Sequence, residues 1–163
     1  MAKRRSFEGM NCSIARALDV VGEWWTLLVI REAFRGVRRF DGFVERLEIA
    51  PNILSARLRR LIEHEILEER PYSERPRRVE YRLTAKGRDL FPVIVALLGW
   101  GDRWYADDGP PVVLEHVTCG RRAEPRFVCT HCGERLHPRD TRAVPGRGAE
   151  EAEPSLAVTS SSA

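Results

Sequence analysis

"RPYSERPRRVEYRL", Arg70 to Leu83, is the stretch that decides the fold. Val79, Tyr81 and Leu83 alternate with Glu80 and Arg82, the period of a strand with one face against a core, and Ile66 to Tyr72 reads as the strand before it. Between the two strands stand Arg75, Arg77 and Arg78 around Pro76. A turn needs no arginines, and like charges repel, so three of them at a hairpin tip imply an anionic partner that removes the repulsion.

On either side of this hairpin the sequence is helical. Pro51 suits the first position of a helix, where its missing N–H costs nothing, and Leu54, Leu58, Leu61 and Ile62 line one side of that helix to about His64. Before it, Phe40, Phe43, Val44 and Leu47 mark an amphipathic helix of about two turns, separated by the break "EIAP". Two short helices with a tight connection make a helix-turn-helix. Further upstream, Trp24 to Ile30 is apolar on nearly every side, as for a covered central helix that ends at Gly36. Ile14, Ala17, Leu18 and Val21 give one face of a first helix ending near Gly22. Downstream, Thr84 is a good N-cap for a long helix, "AKGRDLFPVIVALLGWGDRWYADD", with Leu90, Ile94, Leu97, Leu98, Gly101 and Trp104 on one stripe. Pro92 lies deep in that pattern and predicts a kink or a later start. The expected fold is mainly α with a small β-wing, a winged helix-turn-helix.

With Leu54 in the core, about 100° of rotation per residue turns Asn52, Ala56, Arg59 and Glu63 outward, flanked by Ser55 and Arg60. Arg59 or Arg60 suits guanine edges, Asn52 an adenine edge, and Ser55 a phosphate or base, while Ala56 permits close approach. Arg75, Arg77 and Arg78 would meet phosphates or the minor groove. The bland alternative is a solvated helix face, with Arg57, Arg59 and Arg60 paired to Glu63 and Glu65. DNA prevails because the helix and the wing are the two parts this architecture presents to one duplex. An enzyme is not expected: the chain has no phosphate-binding glycine loop, no nucleophile elbow and no paired carboxylates beside a histidine.

The 163 residues carry a formal charge of only +3, so DNA affinity must come from where the arginines lie. No apolar run approaches the roughly 18–20 residues that span a bilayer, and nothing at the start resembles a signal peptide, so a soluble cytoplasmic protein is expected. Residues 1–108 are read as the DNA-binding and dimerisation domain, 109–142 as a Cys/His-rich extension and 143–163 as a disordered tail. In the extension Cys129 and Cys132 form a C-x2-C knuckle before Gly133, and Cys119-Gly120 is half of another. His116, His131 and His137 are candidates for a fourth ligand, His116 the cleanest, so zinc is the one cofactor that the residues point to. A metal-free hairpin and a thiol switch compete with that reading. Trp24, Trp25, Trp100 and Trp104 fit packing better than a ligand pocket.

From Cys12 to about Tyr105, "CSIARALDVVGEWWTLLVIREAFRGVRRFDGFVERL", "LSARLRRLIEHEILEE" and "RVEYRLTAKGRDL…LLGWG" resemble the HxlR family of winged-helix transcription regulators. The resemblance implies a homodimer joined through the terminal helices, bound to a pseudo-palindromic operator and responsive to electrophiles, oxidants or a small-molecule effector. A repressor is the preferred form. It also implies redox sensing at Cys12, where a helix N-terminus, with Lys3, Arg4 and Arg5 nearby, favours a thiolate; the alternative is a small buried residue at the dimer contact. Ala50 and Pro51 stand where such proteins commonly have polar residues, so base preference does not carry over. A different class remains open: a metal or thiol sensor that uses the winged fold as a platform for a protein partner.

Overall fold

The computed structural model describes Phe7 and residues 9–149. The chain divides after Asp108 into two compact units. The first contains α1 (Ser13–Val21), α2 (Trp24–Phe34), α3 (Phe40–Leu47), α4 (Pro51–Glu63), β1 (Leu67–Glu74), β2 (Arg77–Leu83), α5 (Ala85–Arg88) and α6 (Phe91–Trp104). The second contains two short strands, β3 (Glu115–His116) and β4 (Arg121–Arg122), paired antiparallel. Among the described residues no helix is long and apolar enough to cross a membrane.

The core of the first unit forms where the helical periods converge. Val29 and Ile30 of α2, Phe43 and Leu47 of α3, Leu54, Leu58 and Leu61 of α4, and Ile66 and Leu67 at the root of the wing are all buried together. Gly36, at φ +88°, lets the chain leave α2 and turn into α3, a conformation an L side chain resists. β1 and β2 form an antiparallel wing with Leu67 opposite Leu83 at its base and Glu74 opposite Arg77 at its tip.

The structure revises several expectations. The strands run further than Tyr72 and Val79, because the ladder resumes after a bulge between Pro71 and Ser73. Arg77 and Arg78 are therefore strand residues, and only Arg75 and Pro76 turn the chain. The stretch after Thr84 is two helices, the second with the later start that Pro92 predicts. Thr84 caps α5, its Oγ1 accepting the Gly87 N–H at 3.0 Å, and the chain restarts at Phe91 so that Pro92 falls in the first turn. α2 is covered on several faces as expected, with Thr26, Val29, Ile30, Glu32 and Ala33 buried, but its first residue, Trp24, is 87% exposed. The apolar face of α1 joins this unit's core only at its end: Val21 is buried there, while Ile14, Ala17 and Leu18 face solvent.

Two buried polar residues escaped the periodicity. The carboxylate of Glu32 is 1% exposed and sits among Arg31 at 2.9 Å, Arg35 at 3.3 Å and Arg46 at 3.9 Å, linking α2 to α3. Thr26 is fully buried, and its hydroxyl has no hydrogen-bond partner among the described residues. An unsatisfied buried hydroxyl costs about 1–3 kcal/mol, and valine keeps the branched shape without it. Thr26→Val is therefore expected to raise thermal stability by about 1 kcal/mol, a few degrees in Tm for a unit of this size. A melting curve shifted downward would show that the hydroxyl is satisfied.

Candidate nucleic-acid interface

α4 begins at Ala50, which offers no side-chain cap, followed by Pro51 in the first turn. Its inward row of Leu54, Leu58 and Leu61 fixes the rotation of the helix, leaving Asn52, Ser55, Ala56 and Arg59 exposed. Ser55 Oγ donates to the Pro51 carbonyl at 2.8 Å, which ties the hydroxyl back along the helix. Arg59 has no ion pair among the described residues, so its guanidinium projects uncommitted. Glu63 shares this side of the helix and gives its C-terminal end a negative charge that phosphates would avoid.

Arg60, expected on the same face, lies elsewhere. It is half-buried, and its Nη2 donates to the Asp19 carbonyl near the end of α1. Residue 60 stands about 80° around the helix from Asn52, and at that angle the neighbouring helix captures it. Arg57 behaves similarly, its Nη1 lying 3.5 Å from Glu23. Of the three α4 arginines, two brace the helix against the elements before it and one faces outward.

All three wing arginines are exposed, but their surroundings differ. Arg77 faces Glu74 across the ladder and has its Nη2 3.6 Å from Glu69, so its charge is partly offset. Arg78 lies opposite Ser73, and neither it nor Arg75 has an ion pair among the described residues. The wing is held to the helices at a point that the sequence did not reveal. The Tyr81 N–H donates to the Arg38 carbonyl at 2.7 Å, and the Arg39 guanidinium lies over the Tyr72 ring at 4.6 Å and 3.8 Å from Glu80. Arg39 thus positions the wing relative to α3, while Arg38 adds an exposed charge beside it. No local pattern pairs a residue preceding a helix with an aromatic over thirty positions later; only the folded chain does.

Cys12 is the N-cap residue of α1, half-buried, with its carbonyl accepting the Arg16 N–H at 3.1 Å. Lys3, Arg4 and Arg5, expected beside it, lie outside the described residues, as does the tail from residue 150.

In the second unit the candidate ligands fall into two pairs. His116 Nδ1 is 3.3 Å from Cys119 Sγ. The Cys129 thiol is pushed below its ordinary range by hydrogen bonds from the backbone N–H groups of Cys132 and His131 and from the Cys132 side chain. Among the described residues no three His, Cys, Asp or Glu side chains converge as a metal centre.

Comparison with known proteins agrees with this architecture. The model of the HxlR-like helix-turn-helix family matches residues 20–108. An HTH-type transcriptional regulator of Mycobacterium bovis is 52% identical over 143 residues, which cover 87% of this chain and 89% of the relative, so the similarity extends well past Asp108. The crystal structure of PA1607, described as a candidate transcription factor, superposes with a TM-score of 0.79 at 40% identity, covering 87% of this chain and all of that one. The redox regulator HypR in its oxidized form superposes with a TM-score of 0.53 at 31% identity, covering 56% of this chain and 96% of that one. A wing, a recognition-type helix and a matched sequence over more than half its length establish that this chain belongs to the HxlR-like helix-turn-helix family of transcriptional regulators.

Proposed function

We propose that the chain is a sequence-specific DNA-binding repressor that works as a cytoplasmic homodimer on a pseudo-palindromic operator, without catalytic activity of its own. The observation that carries this reading is that one compact unit exposes both Asn52, Ser55, Ala56 and Arg59 on α4 and, at the wing tip, Arg75 and Arg78, which have no ion pair among the described residues. Asn52 and Arg59 read base edges in the major groove, Ala56 permits close approach, and Ser55 contacts the backbone. Arg75 and Arg78 contact phosphates or the minor groove beside it, with Arg77 contributing less because Glu69 and Glu74 offset its charge. Arg60 acts by holding α4 in place.

Homodimerisation is supported by apolar surface that the unit leaves uncovered. Ile14 and Leu18 lie one turn apart on α1, and Val93, Leu97, Trp100 and Trp104 form one stripe along α6, all exposed. A twofold partner covering this stripe would set two α4 helices toward half-sites about one DNA turn apart.

HypR is named a redox regulator, and oxidant control is proposed here through Cys12 at the α1 N-cap. A small-molecule effector remains the other input to the same dimer.

The test is a titration of the purified protein against a duplex from its own upstream region and a scrambled duplex, across salt concentration. Selective binding is expected, with a salt slope that flattens by about two units per half-site, nearly four in the dimer, when Arg75 and Arg78 are both replaced by alanine, at roughly 0.9 per phosphate. Diamide is expected to weaken binding of the parent protein and not of Cys12→Ser. Equal affinity for both duplexes would transfer the α4 face to a protein partner, and equal diamide response would remove Cys12 from sensing.

A further inference from the structure

The second unit contains the same turn twice. In His116-Val117-Thr118-Cys119-Gly120 the Gly120 N–H donates to the His116 carbonyl at 2.8 Å, and Gly120 has φ +64°. In Cys129-Thr130-His131-Cys132-Gly133 the Gly133 N–H donates to the Cys129 carbonyl at 2.8 Å, and Gly133 has φ +76°. Each turn places a metal-ligating side chain first, a cysteine fourth and a left-handed glycine fifth. Each also closes a short antiparallel pairing: Glu115–His116 against Arg121–Arg122 in one, Val128 against Arg135 in the other. A turn of this shape points its first and fourth side chains to the same side, so that one ion can take both.

The local distances fit such an ion. Zinc bonded to sulfur at about 2.3 Å and to nitrogen at about 2.0–2.1 Å, with near-tetrahedral angles, holds the two donor atoms about 3.5 Å apart. His116 Nδ1 and Cys119 Sγ stand at 3.3 Å. In the second turn the amides of His131 and Cys132 are directed at the Cys129 sulfur, the outer-shell bonds that steady a ligating thiolate.

An independent observation is the lack of a core. No described residue from Gly109 onward is buried; Val117 is 89% exposed and Phe127 63%. The described part of the unit, residues 109–149, has no buried apolar side chain and so almost no hydrophobic stabilisation, and small units of this kind are held by disulfides or a metal. Its three cysteines are free, which leaves the metal.

We infer that His116, Cys119, Cys129 and Cys132 form one structural zinc site, two ligands from each turn, and that closure of the turns on the ion stabilises the second unit. The two pairs are separate among the described residues, so binding is coupled to bringing them together. Zn²⁺ would enter as three thiols lose their protons to solvent and His116 binds through a neutral ring nitrogen. No redox change and no further reactant is involved. Four protein ligands leave no open position, as in a structural rather than catalytic centre.

The test uses the full chain purified under reducing conditions. Metal content is expected at about one zinc per chain, and Co²⁺ in its place is expected to give thiolate charge-transfer and tetrahedral ligand-field bands. Chelation is expected to remove amide-exchange protection from residues 109–149 while leaving α2–α4 protected. His116→Ala and Cys129→Ser should each lose most of the metal, a fall of at least about tenfold in retained zinc. His116→Cys, which completes a four-cysteine site, should keep about one equivalent, and His137→Ala should match the parent. Zinc below about a tenth of an equivalent with no cobalt bands would overturn the site. So would full retention by His116→Ala, or a Cys129–Cys132 disulfide that forms in preference to metal binding.

Discussion

Arg59→Ala is expected to weaken operator binding by roughly 10- to 100-fold per half-site while leaving the melting temperature unchanged. A bidentate arginine–guanine pair is worth about 1–3 kcal/mol of discrimination, and a symmetric dimer carries it twice, so the loss in the dimer approaches the square of that factor. The folded state should not register the change, because Arg59 is exposed and has no ion pair among the described residues. Arg60→Ala provides the contrast. Its guanidinium is committed to the Asp19 carbonyl, so its loss should lower Tm by a few degrees and reduce affinity only to the extent that α4 shifts. Salt dependence adds a separate criterion. Losing a base contact leaves the slope nearly intact, whereas losing a phosphate contact flattens it by about one unit. If Arg59→Ala bound the operator as tightly as the parent, base reading by α4 would be refuted. The phosphate-directed wing would then be the main source of affinity.

The contrast between residues 59 and 60 marks the limit of what the sequence discloses. The rotation of α4 was legible because Leu54, Leu58 and Leu61 repeat at helical spacing, and that pattern alone places Asn52, Ala56 and Arg59 outward. Arg60 lies at the edge of the face, where its direction depends on whether another helix approaches. That α1 does so, through Asp19, is a contact across 41 residues that no local period records. Glu32 gives the same lesson in the core. A glutamate inside an apolar helix looks like a surface residue until Arg31, Arg35 and Arg46 are seen around it.

Charge and turn chemistry account for other differences. Thr84 was rightly recognised as a cap, but the extent of its helix was set by Pro92, whose ring is tolerated in a first turn and not in mid-helix. The wing strands were placed correctly and cut short, since arginines and glutamates at a tip look like loop. In the ladder the opposite charges of Glu74 and Arg77 face each other and extend the pairing. In the second unit the two pairs of candidate ligands were visible from their spacing. Their equivalence became apparent only from Gly120 and Gly133, which share a positive φ and the same hydrogen bond to the first residue of the turn.

The last prediction concerns the apolar stripe of α6. Leu97→Glu combined with Trp100→Glu is expected to convert the proposed dimer to a monomer at micromolar concentration and to reduce operator affinity by about 10²–10⁴-fold, the advantage of binding two linked half-sites. Val93, Leu97, Trp100 and Trp104 fall on one side of the helix, between 44% and 61% exposed, and α1 adds Ile14 at 72%. Two aromatic residues have already found neighbours on their own chain: Trp100 meets Tyr105 at a tilt of 53° with ring centres 5.1 Å apart, and Arg103 lies over Trp104 at 5.0 Å. These contacts hold the rings in place without covering them, which preorganises a surface for a partner. A carboxylate at Leu97 or Trp100 would stay hydrated in the monomer and be desolvated twice, beside its symmetry mate, in a twofold contact. The monomer should therefore fold, with the dimer selectively lost. Light scattering and operator titration separate the possibilities. Monomer mass with parental affinity would show that one protomer reads the operator alone. Dimer mass in the double variant would exclude the α6 stripe from the twofold contact, leaving the α1 face with Trp24 as the next surface to charge.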